Sequence, residues 1–124
     1  MESSSPVALP SGSHAPALAR RHLERIGRAW PADLLHSALL LVSETVTNAV
    51  RHGGGAITLV VRWSRTLVRV EVHDEADTEP VVRPTPSGDA EGGRGLHLLE
   101  ALSARWGVQP DPPGKTVWFE LAVP

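Results

Sequence analysis

The sequence contains no cysteine, few aromatic residues and no apolar run long enough to cross a membrane. Without cysteine, the chain has no disulfide bonds, zinc–thiolate sites or thiol nucleophiles. No segment approaches the roughly 18 consecutive apolar residues of a membrane-spanning helix. The first ten residues also lack the basic start and apolar core of a secretory signal. We therefore expect a cytoplasmic protein that does not bind membranes.

The charge of the chain is nearly balanced, with 12 Lys and Arg residues against 14 Asp and Glu residues and a formal charge of −2. A protein that binds nucleic acid directly normally presents a strongly basic surface, so nucleic acid is not an expected partner. The length of 124 residues predicts one domain with a substantial core. Because aromatic residues make up only 4% of the chain, that core should consist mainly of Leu, Val and Ala.

The N-terminal half of the sequence predicts a tail followed by two helices. Residues 1–16 are rich in Ser, Pro and Gly, so we expect a flexible segment in which Val7–Leu9 adds at most a short edge strand. Apolar residues at helical spacing predict a helix over 17–30 and a second from about Ala32 to His52. The predicted buried stripe of the second helix is Leu35, Leu39, Val42, Val46, Ala49 and Val50. The first helix carries four arginines that form either a solvated face or a docking surface for an acidic partner: Arg20, Arg21, Arg25 and Arg28.

The C-terminal half changes to the period of β-strands. The runs Ile57–Trp63 and Leu67–His73 predict an antiparallel hairpin. The acidic, Pro- and Gly-rich stretch after Asp74 is too long for a plain connector, so we expect it to be functional or disordered. Three further segments complete a domain over residues 17–124: a helix from Leu96 to about Trp106, a turn at 109–114 and a strand at 115–123. This order predicts an α+β, two-layer sandwich, with a mostly antiparallel sheet covered on one face by three helices.

Two polar side chains lie within the second predicted helix. Glu44 and Asn48 are one turn apart, opposite the apolar stripe, and therefore project in the same direction. Asn is unfavourable inside a helix because its amide competes for backbone hydrogen bonds. The pair is either part of a solvated face or a site in which the Asn48 amide oxygen binds Mg²⁺ and the Glu44 carboxylate acts as a base.

Two further features have both a structural and a functional interpretation. Asp74 directly follows a Val-rich strand, where it is either a turn residue or an acceptor for an exocyclic amine such as that of adenine. The segment Gly93-Arg94-Gly95-Leu96 lies at the start of the third predicted helix. Free backbone N–H groups and the helix dipole favour phosphate at such a position. Glycines also occur at ordinary loop-to-helix junctions, so this motif alone does not define a phosphate site.

The order of four segments is more specific than any one of them: LLVSETVTNAVRHGG, VRVEVHDEA, GGRGLHLLEALSARWG and GKTVWFEL. Together they resemble the ATP-binding domain shared by Hsp90, gyrase B, histidine kinases and MutL, the GHKL family, whose fold is the Bergerat ATP-binding fold. Within this family the sequence is most similar to the single-domain anti-sigma factor serine kinases of actinomycetes. The resemblance covers residues 17–124.

The resemblance implies ATP and Mg²⁺ as ligands and gives roles to individual residues. Glu44 would be the catalytic base, and Asn48 would bind the Mg²⁺ that bridges the nucleotide phosphates. Asp74 would bind the adenine amine, Thr116 would support adenine from the last strand, and the loop from about 75 to 92 would close over ATP as a lid. The full set of residues implied in nucleotide binding is Asn48, Asp74, Ala76, Gly93, Arg94, Gly95, Leu96 and Thr116.

The resemblance also implies a function and partners. It predicts a protein serine/threonine kinase that regulates transcription by inhibiting a sigma factor and phosphorylating a STAS-type anti-anti-sigma protein, with a homodimer as its expected assembly. An alternative is a non-catalytic regulatory module that binds a partner with weak or no nucleotide binding. Ala76 in place of the family's glycine favours this alternative, as does the negative charge of Glu75, Asp77 and Glu79. A clamp-type ATPase is a third interpretation.

Overall fold

Five strands and three helices form two layers in the part of the chain that the computed structural model describes, residues 3–52, 55–76 and 91–124. In chain order the elements are β1 (Ser3–Leu9), α1 (Ala15–Ile26), α2 (Ala32–His52), β2 (Ile57–Trp63), β3 (Leu67–Asp74), α3 (Glu91–Leu102), β4 (Arg105–Pro110) and β5 (Lys115–Ala122). The strands form one sheet in the order β1-β2-β3-β5-β4, and every neighbouring pair is antiparallel. The predicted α+β class is confirmed.

The core lies between the helices and one face of the sheet. Side chains in β3 alternate strictly, so that Val68, Val70 and Val72 are buried on the inner face while their neighbours face outwards. The adjacent β5 contributes Phe119, and α1 and α2 add apolar residues such as Leu23 and Leu41, all of them inaccessible to solvent. Each fully buried side chain of this size contributes about 1.5–3 kcal/mol relative to an exposed one, so this face fixes the sheet register.

The long helix α2 packs against both other helices and against the sheet. Its buried residues are Leu34, Ala38, Leu41, Val42, Thr45, Val46 and Ala49, whereas Leu35, Leu39 and Val50 of the predicted stripe are only half-buried. The stripe is broader and rotated from the prediction because α2 has neighbours on more than one side. The hydroxyls of Ser43, Thr45 and Thr47 donate to backbone carbonyls four residues earlier, at 2.8, 2.7 and 2.6 Å. These hydroxyls are therefore satisfied within the helix.

The edge strand allowed for at Val7–Leu9 is present but longer than predicted, because it runs from Ser3 to Leu9 in a segment expected to be mostly flexible. All seven residues pair with β2, from Ser3 opposite Trp63 to Leu9 opposite Ile57. The partner strand is distant in sequence, so the local composition of this Ser- and Pro-rich segment does not indicate the full length of the strand. The His22 ring also donates to the Ser5 carbonyl oxygen at 3.2 Å, which ties α1 to this strand.

Three predicted boundaries near helix ends are also corrected. The first helix runs from Ala15 to Ile26 instead of over 17–30, and the Gly27 N–H closes it on the Leu23 carbonyl at 2.8 Å. The third helix ends at Leu102, and Arg105–Pro110 is a strand rather than helix and turn. Residues 77–90 of the expected lid lie outside the described residues, whereas 91–92 belong to α3. No helix in the described ranges has the length and apolar character needed to cross a membrane.

Candidate functional site

Asp74 is a buried carboxylate at the end of β3, on the face of the sheet that the helices cover. Only 2% of its surface is exposed. In the β3–β5 register Asp74 lies opposite Lys115, the first residue of β5. The Lys115 ammonium donates to Asp74 Oδ1 at 2.9 Å, and the side chain of the lysine is itself only 10% exposed. The two charges therefore neutralise each other in a setting from which water is largely excluded.

The backbone after β3 fixes the orientation of this carboxylate. The Ala76 N–H donates to Asp74 Oδ1 at 2.9 Å, which closes a turn of the kind that Asp commonly forms with the residue two positions ahead. Among the described residues no residue other than glycine has a positive φ, so Ala76 adopts an ordinary backbone conformation in place of glycine. Both donors reach Oδ1, and within the described ranges no residue donates to Oδ2.

Gly114 allows β5 to begin this close to the end of β3. Its φ is 101°, and a Cβ at this position would lie 1.9 Å from the Asp74 carbonyl oxygen. Only glycine accepts both the left-handed conformation and the close approach, so Gly114 determines where Lys115 enters the sheet.

The side chain of Glu75 points away from Asp74 towards the segment before β2. Its Oε1 accepts the Ala56 N–H at 2.8 Å, next to Gly55, whose φ is 68°. The glutamate thus holds the end of β3 to the start of β2. The negative charge of Glu75 is therefore directed at the Ala56 N–H.

Thr116 is not brought together with Asp74. It lies opposite His73 on the outer face of the sheet, and its hydroxyl donates to Asp111 Oδ2 at 2.9 Å. The His73 ring donates from Nε2 to the Asp111 carbonyl oxygen at 3.0 Å. The residue of β5 that does face Asp74 is Lys115, which sequence reasoning missed. The signal was available, because Lys115 continues the inner-facing series of Val117, Phe119 and Leu121 at a spacing of two.

Glu44 and Asn48 lie one turn apart on α2, at the border of its buried face. Both side chains are half-buried, beside the buried Thr45 and Ala49, so they are not part of a fully solvated surface. In the described ranges no group of three His, Asp or Glu residues forms a metal site. An amide oxygen with a nearby carboxylate nevertheless suits Mg²⁺, which prefers oxygen ligands and keeps several waters.

The glycine motif lies inside α3 rather than before it. Within α3, which the structure describes from Glu91 onwards, the Gly95 N–H falls in the regular hydrogen-bonding pattern, because the residue four positions earlier is Glu91. The role of this motif in phosphate binding stays a prediction. The side chains of residues 91–96, Arg94 and Leu96 among them, lie outside the described part of the chain.

The five-stranded antiparallel sheet with three helices on one face agrees with the fold that the resemblance implies. A family model described as the histidine kinase-like ATPase domain matches residues 10–121. The chain therefore belongs to the histidine kinase-like ATPase domain family, and the resemblance to the GHKL family is confirmed.

Several individual proteins are similar to this chain. SCO4941, an uncharacterized protein of Streptomyces coelicolor, is 34% identical over 85 residues, which are 65% of this chain and 81% of that protein. The structure of the RsbU and RsbW domains of Rv1364c from Mycobacterium tuberculosis superposes with a TM-score of 0.75 at 19% identity, over 98% of this chain and 33% of that one. The histidine kinase domain of the blue-light activated kinase EL346 of Erythrobacter litoralis gives 0.58 at 22% identity, over 92% and 61%. At these identities the two structural likenesses show the fold alone, and this chain spans only a third of the mycobacterial structure.

Proposed function

We propose that this protein is a Mg-ATP-dependent serine kinase that inhibits a sigma factor and phosphorylates a STAS-type anti-anti-sigma partner. Membership of the histidine kinase-like ATPase domain family supports nucleotide binding. The observation that carries the proposal is the buried Asp74 carboxylate, held in one orientation by the Ala76 N–H. A buried acceptor fixed in this way suits the exocyclic amine of adenine.

Different residues of the chain bind the adenine end and the phosphate end of the nucleotide. Asp74 accepts a hydrogen bond from the adenine amine through Oδ2, while Asn48 offers its amide oxygen to Mg²⁺. ATP would supply the phosphoryl group and Mg²⁺ would neutralise part of the phosphate charge, so the protein would contribute mainly positioning. Backbone amides at the N-terminal end of α3, near the glycine motif, would bind phosphate oxygens.

Glu44 is the proposed catalytic base. It is half-buried and one turn from Asn48, so a serine hydroxyl brought to the metal-bound phosphate would lie within reach of its carboxylate. The carboxylate would orient the hydroxyl and accept its proton as the serine oxygen forms a bond with the γ-phosphorus. The bond between that phosphorus and the bridging oxygen breaks, and ADP leaves. A partner-switching role is supported by the similarity in fold to a structure that contains an RsbW domain. A homodimer that binds either a sigma factor or a STAS-type protein is part of this proposal.

Transfer of labelled phosphate from ATP to a candidate STAS-type protein tests the kinase proposal. Glu44→Gln should abolish transfer while ATP binding stays within about threefold of wild type, because the glutamate acts on the hydroxyl rather than on the nucleotide. Asn48→Ala should weaken binding in the presence of Mg²⁺ but change it little in its absence. Glu100→Gln, an exposed glutamate of α3, is the matched control and should leave transfer unchanged. Binding without transfer to any STAS-type protein would refute kinase activity.

A second candidate function is a regulatory module that binds its partner without catalysis. The observation that favours it is the Lys115–Asp74 ion pair, because the acceptor carboxylate already has a counter-charge before any nucleotide binds. Thermal unfolding distinguishes the two functions. A rise in Tm with Mg-ATP or Mg-ADP supports the kinase, and an unchanged Tm at millimolar nucleotide supports the module.

A further inference from the structure

Lys115 has no role in the function proposed above, although it contacts the central residue of the nucleotide site. It is 8% exposed and directs its ammonium at Asp74 Oδ1 from the neighbouring strand. Lysine is rarely buried to this extent unless its charge is paired, and a buried ion pair is weak as a source of stability compared with apolar residues of the same size. The pair therefore calls for an explanation other than stability.

The hydrogen-bonding capacity of the pair is only partly used. An ammonium has three N–H donors, and among the described residues only Asp74 accepts one of them. The Asp74 carboxylate has two oxygens, and both of its described donors reach Oδ1. The pair thus presents donors on Nζ beside an acceptor on Oδ2, at the inner end of β3 and β5.

Adenine has the complementary arrangement on its six-membered ring. The exocyclic amine is a donor, and the adjacent ring nitrogen N1 is an acceptor. If Asp74 Oδ2 binds the amine, the Lys115 ammonium, which is hydrogen-bonded to Oδ1 of the same carboxylate, is the described donor nearest to an acceptor beside the amine.

We propose that Lys115 is a specificity-determining residue that donates a hydrogen bond to adenine N1 while Asp74 accepts one from the adenine amine. The inference rests on the proposed nucleotide site and adds the residue that distinguishes the base. Gly114 supports it, because the close approach of β5 to the end of β3 holds the lysine beside the carboxylate. Thr116, on the opposite face of the sheet, takes no part.

The test compares ATP with 1-deaza-ATP, in which N1 is replaced by a C–H group and the amine is retained. Dissociation constants are measured by calorimetry with Mg²⁺ on the wild-type protein, so the comparison needs no variant. We expect the dissociation constant of 1-deaza-ATP to be at least about tenfold higher than that of ATP, because this analogue lacks the acceptor of a charge-assisted hydrogen bond. Lys115→Met should bind ATP more weakly and should bind the two nucleotides equally. Thr116→Val is the matched control and should keep the wild-type difference.

The possible outcomes separate the two proposals. Equal binding of ATP and 1-deaza-ATP by the wild type would overturn the role of Lys115 and leave the nucleotide site intact. Tighter binding of ATP by Lys115→Met would also overturn it, since the lysine would then be a competitor of the base. A wild-type preference for GTP over ATP would show that Lys115 and Asp74 recognise guanine rather than adenine. It would refute the proposed hydrogen bond from Lys115 to adenine N1. No binding of either nucleotide would refute the proposed function together with this inference.

Discussion

The two faces of the sheet use charge in opposite ways. On the inner face a single described ion pair, Lys115–Asp74, lies at the end of a wall of Val, Leu and Phe side chains. On the outer face, charged residues of several strands form a network with the following N–O distances: Arg69–Glu71 2.8 Å, Arg69–Glu120 2.9 Å, Arg62–Glu71 3.3 Å and Arg105–Glu120 3.6 Å. The Arg69 guanidinium also lies 4.2 Å from the centre of the Trp118 ring.

The outer network is permanently charged at its centre. Burial lowers the pKa of Arg69, but its hydrogen bonds to Glu71 and Glu120 and their negative charges outweigh burial and raise that pKa above its ordinary, already high value. Arg69 therefore stays a cation at every pH at which the protein is folded. Its stabilising contribution is present below the unfolded-state pKa and would be lost only as the pH rose through the still higher folded-state pKa.

The difference between the faces is one of redundancy. Each outer carboxylate contacts two arginines, so the loss of one arginine leaves the other in place. Asp74 has one described cation, and nearly all of its surface is removed from water. The same kind of interaction is therefore dispensable on one face and critical on the other.

The largest expected effect is that of Lys115→Met on stability. It leaves the buried Asp74 carboxylate without its counter-charge, which typically costs about 3–5 kcal/mol when one member of a buried pair is removed. Arg105→Met is the control on the outer face, where the arginine side chain is 73% exposed and Glu120 keeps Arg69. It should change the free energy of unfolding by about 1 kcal/mol or less. Urea denaturation measures both, and equal losses would contradict the proposed difference between the faces.

A smaller loss is expected for Gly114→Ala. Alanine must adopt a φ of 101° with its Cβ pressed against the Asp74 carbonyl oxygen, which should cost about 2 kcal/mol or more. Gly12→Ala is the control, because no atom lies within 4 Å of a Cβ at that position. Its effect should stay within about 0.5 kcal/mol. If the two variants unfold at the same urea concentration, Gly114 does not determine the position of β5.

The smallest effect is expected for Thr116→Val. Its hydroxyl contacts only the exposed Asp111 among the described residues, and valine is favourable in a strand, so stability should change by about 1 kcal/mol or less. Because Thr116 lies on the outer face, the dissociation constant for Mg-ATP should stay unchanged. A clear loss of nucleotide affinity in calorimetry would show that Thr116 contributes to nucleotide binding. It would refute the proposal that Lys115, rather than Thr116, contacts adenine.

The fold could be predicted where the signal is local. Helix α2 and the β2–β3 hairpin follow from apolar periodicity, and the position of Asp74 follows from the end of β3. The two edge strands could not be predicted in this way, for different reasons. Ser3–Leu9 becomes a strand by pairing with β2, which is distant in sequence. Arg105–Pro110 pairs with the next strand, β5, but it follows α3 after only two residues. In particular, the sequence around Trp106 continues directly from a helix, and no turn signal separates the two elements.

For the candidate site, the sequence indicates residue types but not how their side chains are arranged. The residue types at Glu44, Asn48 and Asp74 indicated the ligand chemistry, and their roles stay predictions. The resemblance implies Thr116 through its hydroxyl, whereas the alternation of side chains along β5 decides that Lys115 faces Asp74. Sequence pattern identifies which groups are present, but the register of two strands decides which of them meet.

The burial of Lys115 has a practical consequence, because it is the single lysine of the sequence. Reagents that acylate primary amines can therefore modify only this side chain and the N-terminal amine of the polypeptide. Mass spectrometry of the peptide that contains Lys115 would therefore report, without any engineered label, how often the interior end of the sheet becomes accessible and whether an added nucleotide protects it.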